Sequence, residues 1–247
     1  MKFEKPVFEA KFVKRYKRFF ADVEIDGELV TAHCANTGSM KSCLKDGMDC
    51  LVSFHDDPKR KLQYSLELTK PGKSWVCVNT VRPNKMVEEL FLNNPLKHWK
   101  NFDRVATEVK IHDKTRIDLV LWNSKDFPGK KPKVEDIENY KCFHFIEVKN
   151  VTLKEGEKAL FPDSVSTRGQ KHLQELMDLQ NDGHTCEILF TINRSDVESF
   201  SPAREIDPKY AQLLKEAKVA GVKVSPLLSK ITKKEVSLTG EVLKLVL

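Results

Sequence analysis

The chain has 247 residues, 40% of them hydrophobic, and 42 Lys and Arg against 36 Asp and Glu give it a net charge of +6. That is enough apolar material for a real core, and it excludes a disordered tail. No stretch approaches the roughly 20 uninterrupted apolar residues of a membrane span, and charges are scattered through residues 1–14 where a signal peptide has its apolar stretch, so the expectation is a cytoplasmic protein with no membrane partner. The six cysteines form no C-x-x-C pair and have no His at zinc-finger spacing, which predicts reduced thiols.

The first third predicts β structure. Residues 12–25 form a long strand candidate ending in Asp26-Gly27, a two-residue hairpin signal. Residues 29–34 return from it, the loop Asn36-Thr37-Gly38-Ser39-Met40 breaks the pattern, and 49–54, 61–68 and 75–81 supply three more strands. Five short strands in about 70 residues suggest a small barrel or sandwich, an OB-type barrel being the sharpest version. From residue 84 the period changes. Met86, Val87, Leu90 and Phe91 lie on one helical face with Asn84 placed to cap it, and strands follow at 105–111 and 116–122. Residues 125–141 resemble an exposed insertion. A strand at 143–148, a helix through Leu173, Leu176, Met177 and Gln180 closed by Gly183, a strand at 187–192, a helix opened by Asp207-Pro208 and a strand at 222–228 complete the chain. This order predicts an α/β architecture of two domains, residues 1–83 and 84–247, the second a mixed sheet flanked by helices.

The positive charge is uneven. Residues 1–83 carry 15 basic and 11 acidic side chains, against 27 and 25 in the remainder. Lys11, Lys14, Arg15, Lys17 and Arg18 interleave with Phe12, Tyr16, Phe19 and Phe20, and Lys59-Arg60-Lys61 follow a turn. Basic groups beside aromatic rings suit a polyanion with bases to stack, although a solvated strand face has the same composition.

Charged residues inside apolar strands are the informative exceptions, because a buried carboxylate usually pairs, binds a metal or catalyses. Asp118 stands in Arg-Ile-Asp-Leu-Val-Leu, and Glu147 and Lys149 stand two apart in Phe-Ile-Glu-Val-Lys, projecting from one strand face. If Asp118 lies level with them, two carboxylates and an ammonium converge. Asp118 and Glu147, with the Val148 carbonyl, can hold Mg²⁺ or Mn²⁺, and Lys149 can orient an attacking water beside a phosphodiester. Glu108 in the preceding strand offers an accessory carboxylate. The alternative is purely structural, with Glu147 paired to Lys149 and Asp118 to Arg116. Arg168, Gln170, Lys171 and His172 crowd the start of the next helix, where an N-terminus and basic side chains favour a phosphate. His172 has no second His at ligand spacing and suits a structural or phosphate-contacting role.

The segments at 14–19 (Lys-Arg-Tyr-Lys-Arg-Phe), 33–40 (His-Cys-Ala-Asn-Thr-Gly-Ser-Met), 76–80, 116–118, 146–153, 161–163, 167–173 (Thr-Arg-Gly-Gln-Lys-His-Leu) and 200–204 closely resemble the sugar fermentation stimulation protein family, in order and nearly end to end. The resemblance implies an N-terminal OB-fold domain, a C-terminal domain of the PD-(D/E)XK nuclease class, DNA binding and a role in regulating sugar metabolism, maltose in particular. It further implies that Asp118 is the nuclease-class acid, Glu147 and Lys149 its E-x-K, Glu108 an accessory acid and Gln170 a helix glutamine of the wider class. Residues 125–141 depart from the family's shorter connection between the two catalytic strands. Two functions follow as expectations. One is a Mg²⁺- or Mn²⁺-dependent deoxyribonuclease gripping nucleic acid through Lys14, Arg15, Tyr16, Lys17 and Arg18, through Asn36, Thr37 and Ser39, and through Arg60, Arg168 and Lys171. The other is a regulator that binds DNA without cutting it. Oligomeric state stays open, a homodimer included, and a third reading, a cytosolic enzyme acting on a small phosphorylated sugar, finds no phosphate-cradling G-x-G-x-x-G or Walker loop in its support.

Overall fold

The computed structural model describes residues 1–112 and 115–247. Its first body is a barrel of β1 (Val7–Tyr16), β2 (Phe20–Ile25), β3 (Glu28–His33), β4 (Asp49–Phe54) and β5 (Tyr64–Thr69), in the order β3-β2-β1-β4-β5 and closed by a parallel β3–β5 pairing at Ala32↔Tyr64. The single long strand expected over 12–25 is two strands. Lys17 and Arg18 take left-handed φ values of 45° and 63° and reverse the chain, so that Tyr16 pairs with Phe20. The expected Asp26-Gly27 turn, with φ of 50° and 86°, then joins β2 to β3 in the conformation that Gly permits at no steric cost. Of the strand expected at 75–81 only β6 (Val76–Cys77) forms, because the chain must turn into the next helix.

That helix, α1 (Arg82–Asn93), starts three residues earlier than a cap at Asn84 implies, with Pro83 in the first turn. Asn84 is therefore inside the helix and does not cap it. Met86, Val87, Leu90 and Phe91 pack in one cluster with barrel residues Leu51, Leu68 and Cys77 and with Leu119, Ile146 and Leu189 of the second body. Each fully buried side chain of this kind contributes about 1.5–3 kcal/mol, so α1 wedges the two bodies together. The first residues also pair with the second body: Lys2 forms a β-bridge with Glu235 and the Phe3 N–H donates to the Lys234 carbonyl.

The second body is a six-stranded mixed sheet of β7 (Arg104–His112), β8 (Thr115–Trp122), β9 (His144–Val151), β12 (Thr185–Ile192), β14 (Lys223–Ile231) and β15 (Val236–Val242), in the order β15-β14-β12-β9-β8-β7. One face carries α1; on the other, α3 (Thr167–Asn181) and α4 (Pro208–Val219) bury Leu173, Leu176, Tyr210 and Leu214 against Phe145, Ile188 and Phe190. Both helices are capped by side chains, Ser166 accepting from the Gly169 N–H at 3.0 Å and Asp207 from the Tyr210 N–H at 2.9 Å. A small sheet of β10 (Leu153–Glu155), β11 (Lys158–Phe161), β13 (Ser199–Pro202) and β16 (Lys244–Leu245) is absent from the expectation, and its β10 and β11 carry the chain from β9 toward α3. These strands are too short for periodicity to reveal. Residues 125–141 are not simply exposed: they contain α2 (Val134–Asn139), and Phe127 and Ile137 are buried in the core that includes Trp122 and Phe143. All six cysteines are free thiols, and burial pushes Cys50, Cys77 and Cys186 up to about 12.

Candidate active site

The β8–β9 ladder runs from Leu121↔His144 to Leu119↔Ile146 and stops there. Continued by one residue, the antiparallel register sets Asp118 opposite Glu147, and the β7–β8 register sets Glu108 opposite Asp118. Three acids thus stand level across three neighbouring strands. Where the ladder stops, Asp118 replaces the missing backbone acceptor: its Oδ2 takes the Val148 N–H at 2.8 Å, and its Oδ1 takes the Asn84 amide of α1 at 2.9 Å. The strands part here because a side chain has filled the place of a carbonyl. Glu108 adopts φ 51°, an unusual conformation for a non-glycine residue, and it makes no ladder pair. Strain of that kind costs on the order of 1–3 kcal/mol and clusters at functional sites.

Glu147 is 2% exposed. Its Oε1 receives Lys149 Nζ at 2.6 Å and His172 Nδ1, while Oε2 is buried with no partner among the described residues. Arg168 Nε donates to His172 Nε2 at 3.3 Å, and since a guanidinium can only donate, the proton of His172 resides on Nδ1 and faces Glu147. Burial raises the Glu147 carboxyl, but Lys149 and His172 more than offset it and hold it below its ordinary value. Asp118 goes the other way: burial first, then the charge of Glu147, raise it to about 6 against the pull of the Val148 N–H. Two carboxylates whose affinities for protons are driven apart are a recurring mark of a working site.

Glu108 and Asp118 open onto a cleft of about 650 Å³, lined also by Lys110, Thr115, Arg116, Arg168, Lys171 and His172, with Glu147 buried behind His172. Arg116 faces this cleft and Asp118 is held by Asn84 and Val148, so the structural alternative of an Asp118–Arg116 pair is not what the fold builds. The Glu147–Lys149 pair does form. Val148 points its side chain into the opposite core and its N–H at Asp118.

Two expected site residues lie elsewhere. Gln170 is buried and its amide nitrogen reaches both oxygens of Asp207, at 2.9 and 3.1 Å, which ties α3 to the cap of α4 rather than to the acids. Arg15 is half-buried, and its guanidinium donates to the carbonyls of Arg18, Gly38 and Asn36 and so holds the 36–40 loop in shape. In that loop the Ser39 N–H and hydroxyl both donate to Asp163 Oδ2, at 2.7 and 3.1 Å, and the Asn36 side chain accepts from the Gly38 N–H. A Cβ on Gly38 would meet Asp163 Oδ2 at 2.3 Å, which is why glycine stands at this contact between barrel and second body. Thr37 is exposed and, with Arg18, Asn36, Thr80 and Asn150, lines a groove of about 370 Å³ at the junction. Lys14 approaches Asp22 at 3.7 Å, and Tyr16 stacks on Phe20 at 5.4 Å. Lys17 and Arg18 are exposed at the tip of their turn. Arg60 donates to Ser65 and, with Phe19, His33 and Lys61, lines a shallow aromatic pocket in which the Phe19 and His33 rings are parallel within 5°. Lys171 bridges Glu175 and Thr115 at the cleft rim.

Sequence reasoning missed Asn84 and undervalued His172. Asn84 sits 34 residues from Asp118, with no local pattern to connect them. His172 was legible only as part of a basic helix start.

Family models match in two blocks: the sugar fermentation stimulation protein RE domain over residues 81–235 and the SfsA N-terminal OB domain over residues 13–78. Sugar fermentation stimulation protein homologs from Bdellovibrio bacteriovorus and Pelagibacter ubique are 48% and 42% identical, the alignments covering 99% and 98% of this chain and the same shares of theirs. The solved structure of Pyrococcus furiosus SfsA in complex with Ca²⁺ is similar with a TM-score of 0.83 and 26% identity, over 100% of this chain and 98% of that one.

Proposed function

The chain belongs to the sugar fermentation stimulation protein family, and from that premise we propose that it binds nucleic acid, DNA in the first place, and hydrolyses its phosphodiester bonds at Asp118 and Glu147 with Mg²⁺ or Mn²⁺. The observation that carries this reading is the buried Glu147 oxygen without a partner among the described residues, on a residue level with Asp118 and Glu108, which line a cationic cleft. Hard carboxylate oxygens, one of them unsatisfied, fit a divalent cation better than they fit a finished salt bridge. Asp118 and Glu147 would hold the ion, with Glu108 and the Val148 carbonyl as further oxygen donors. Such an ion supplies charge neutralisation at the phosphate and a more acidic bound water. The Ca²⁺ of the Pyrococcus furiosus structure, a cation of the same oxygen-seeking chemistry, supports the assignment.

The chain's own groups do the rest. Lys149 places its ammonium beside Glu147, where it orients a water and offsets charge developing on the phosphorus. His172 fixes Glu147, and Arg168 fixes His172 while contributing positive charge to the cleft wall. Arg116 and Lys171 extend that charge along the cleft. On the barrel, Lys17, Arg18 and the Phe19–His33 pocket offer phosphate contacts and a stacking surface, and the Thr37 groove joins them to the second body.

Incubation of the purified protein with single-stranded and duplex DNA in Mn²⁺ or Mg²⁺ tests the reading. Nicking or degradation that disappears in Asp118→Ala and Lys149→Ala, with binding kept within a few fold, supports it. Absence of cutting on DNA and RNA with both metals would overturn it in favour of a regulator that binds without turnover, and the link to sugar and maltose metabolism would then run through DNA binding alone.

A further inference from the structure

A second cluster of ligating side chains lies on the other face of the central sheet. His144 and Glu187 alternate with Phe145 and Ile188, so they project with Ile146 and Leu189 toward α1, away from Glu147 and Lys149. Above them a short helical turn, Lys97–Trp99, lowers His98 onto the same point. His98 Nε2 and His144 Nε2 lie 2.9 and 3.1 Å from Glu187 Oε2, and the three ligand atoms are all within 4.8 Å of one another. The Trp99 indole N–H donates to the same oxygen at 2.9 Å. Glu187 is fully buried, and its other oxygen, Oε1, has no partner among the described residues.

We infer that His98, His144 and Glu187 form a binding site for a divalent transition metal of the zinc class, distinct from the carboxylate site in the cleft. A structural carboxylate normally spreads its partners over both oxygens; here two imidazole nitrogens and an indole N–H crowd one oxygen, and the other is buried with no partner among the described residues. Two imidazoles and one carboxylate are a donor set for zinc, and imidazole nitrogen disfavours Mg²⁺ and Ca²⁺. Around a tetrahedral zinc with bonds of ~2.0–2.1 Å the ligand atoms are roughly 3.3 Å apart, so the side chains need move by about 1 Å or less. The orienting partners exist already. Thr185 Oγ1 lies 2.8 Å from His144 Nδ1, and a hydroxyl can donate to that nitrogen or accept from it. When His144 gives its Nε2 lone pair to a metal, its proton resides on Nδ1 and Thr185 accepts it, which fixes the ring. The Trp99 indole steadies the carboxylate in the same way. The His98 side chain is 31% exposed and provides the entry path. Bound metal would clamp the 97–99 turn, between α1 and β7, to β9 and β12.

The inference is independent of nucleolytic activity. Full-length protein stripped with a chelator is titrated with Zn²⁺ in millimolar Mg²⁺, which occupies the cleft site, and with Co²⁺ as a spectroscopic probe. The expected result is one Zn²⁺ bound per chain and a tetrahedral Co²⁺ visible spectrum, both lost in His98→Ala and His144→Ala and both kept in Asp118→Ala. Thr185→Val is expected to weaken Zn²⁺ binding by about 10–100-fold, as loss of an orienting partner does. His98 sits on a surface turn, so its variant reports on the site even if His144→Ala does not fold. No Zn²⁺ uptake in the presence of Mg²⁺, uptake unchanged in His98→Ala, or uptake abolished by Asp118→Ala would each overturn the inference.

Discussion

Two buried glutamates, one at the barrel–helix junction and one in the cleft, show how the same residue is closed off in one region and left open in another. Glu67 on β5 is 1% exposed and fully engaged: Oε1 accepts from Ser53 at 2.8 Å and Arg82 at 2.7 Å, and Oε2 accepts from Asn79 and Arg82, each at 2.9 Å. Glu147 on β9 is 2% exposed, has a lysine and a histidine on one oxygen, and has no partner among the described residues on the other. Burial alone does not distinguish them, and neither does an ion pair. What separates them is whether every lone pair is satisfied, because a buried oxygen left open is a cost that folding has no reason to bear unless a ligand uses it.

The largest test of this contrast is the same substitution at both positions. Glu67→Gln strands the Arg82 guanidinium, which cannot lose its proton, and should cost about 3 kcal/mol in chemical denaturation. Glu147→Gln keeps an amide oxygen to which Lys149 and His172 can donate and breaks no bidentate guanidinium pair, so its cost should be nearer 1 kcal/mol while the proposed cleavage disappears. Equal losses of stability would break the comparison.

A second effect is pH-dependent. The folded protein holds the Asp118 proton up to about 6, against an ordinary 3.8, so this group stabilises the fold at low pH. That contribution is complete below about pH 4 and is lost as pH rises through about 6, at up to roughly 3 kcal/mol. In chelator-treated protein, Asp118→Asn should therefore be more stable than the parent at pH 7.5, and its advantage should vanish toward pH 4.5. An advantage that grows toward low pH would contradict the burial argument. By the same token, added Mg²⁺ should raise the melting temperature of the parent more than that of the variant, since only the parent gains relief of a buried charge.

The smallest effects concern the barrel. Lys17→Ala should lower the slope of log affinity for duplex DNA against log salt by about 0.9, the signature of one lost phosphate contact. Arg15→Ala should instead lower affinity with little change of slope, because its guanidinium shapes the 36–40 loop. A slope change as large as that of Lys17→Ala would make Arg15 a phosphate contact after all.

Much of this architecture was legible before any coordinates. Asp26-Gly27, the face Met86-Val87-Leu90-Phe91 and the caps Asp207-Pro208 and Gly183 are local signals, each set within a few residues, and the structure has the elements they announce. Asp118, Glu147 and Lys149 stood out because charge inside an apolar strand is costly enough to demand a reason. Where expectation failed, a distant partner had overruled a local preference. Asn84 and Arg15 have ordinary local roles available, as a cap and as a solvated charge, but Asp118 and the 36–40 loop claim them. Residues 125–141 read as exposed because Lys, Pro and Glu dominate there, while two apolar side chains, Phe127 and Ile137, dock the segment on the core.

The sequence by itself determined the order of barrel and mixed sheet, the Asp26-Gly27 turn and the Asp207-Pro208 cap, and singled out Asp118, Glu147 and Lys149 as charges inside apolar strands, since period, turn chemistry and the cost of burying charge all act over a few residues. Only the tertiary structure decided that Glu108, Asp118 and Glu147 stand level, that Gln170 serves Asp207, and that His98, His144 and Glu187 meet. Those facts depend on strand register and on which lone pairs remain unmatched, and both are set by residues far apart in the chain.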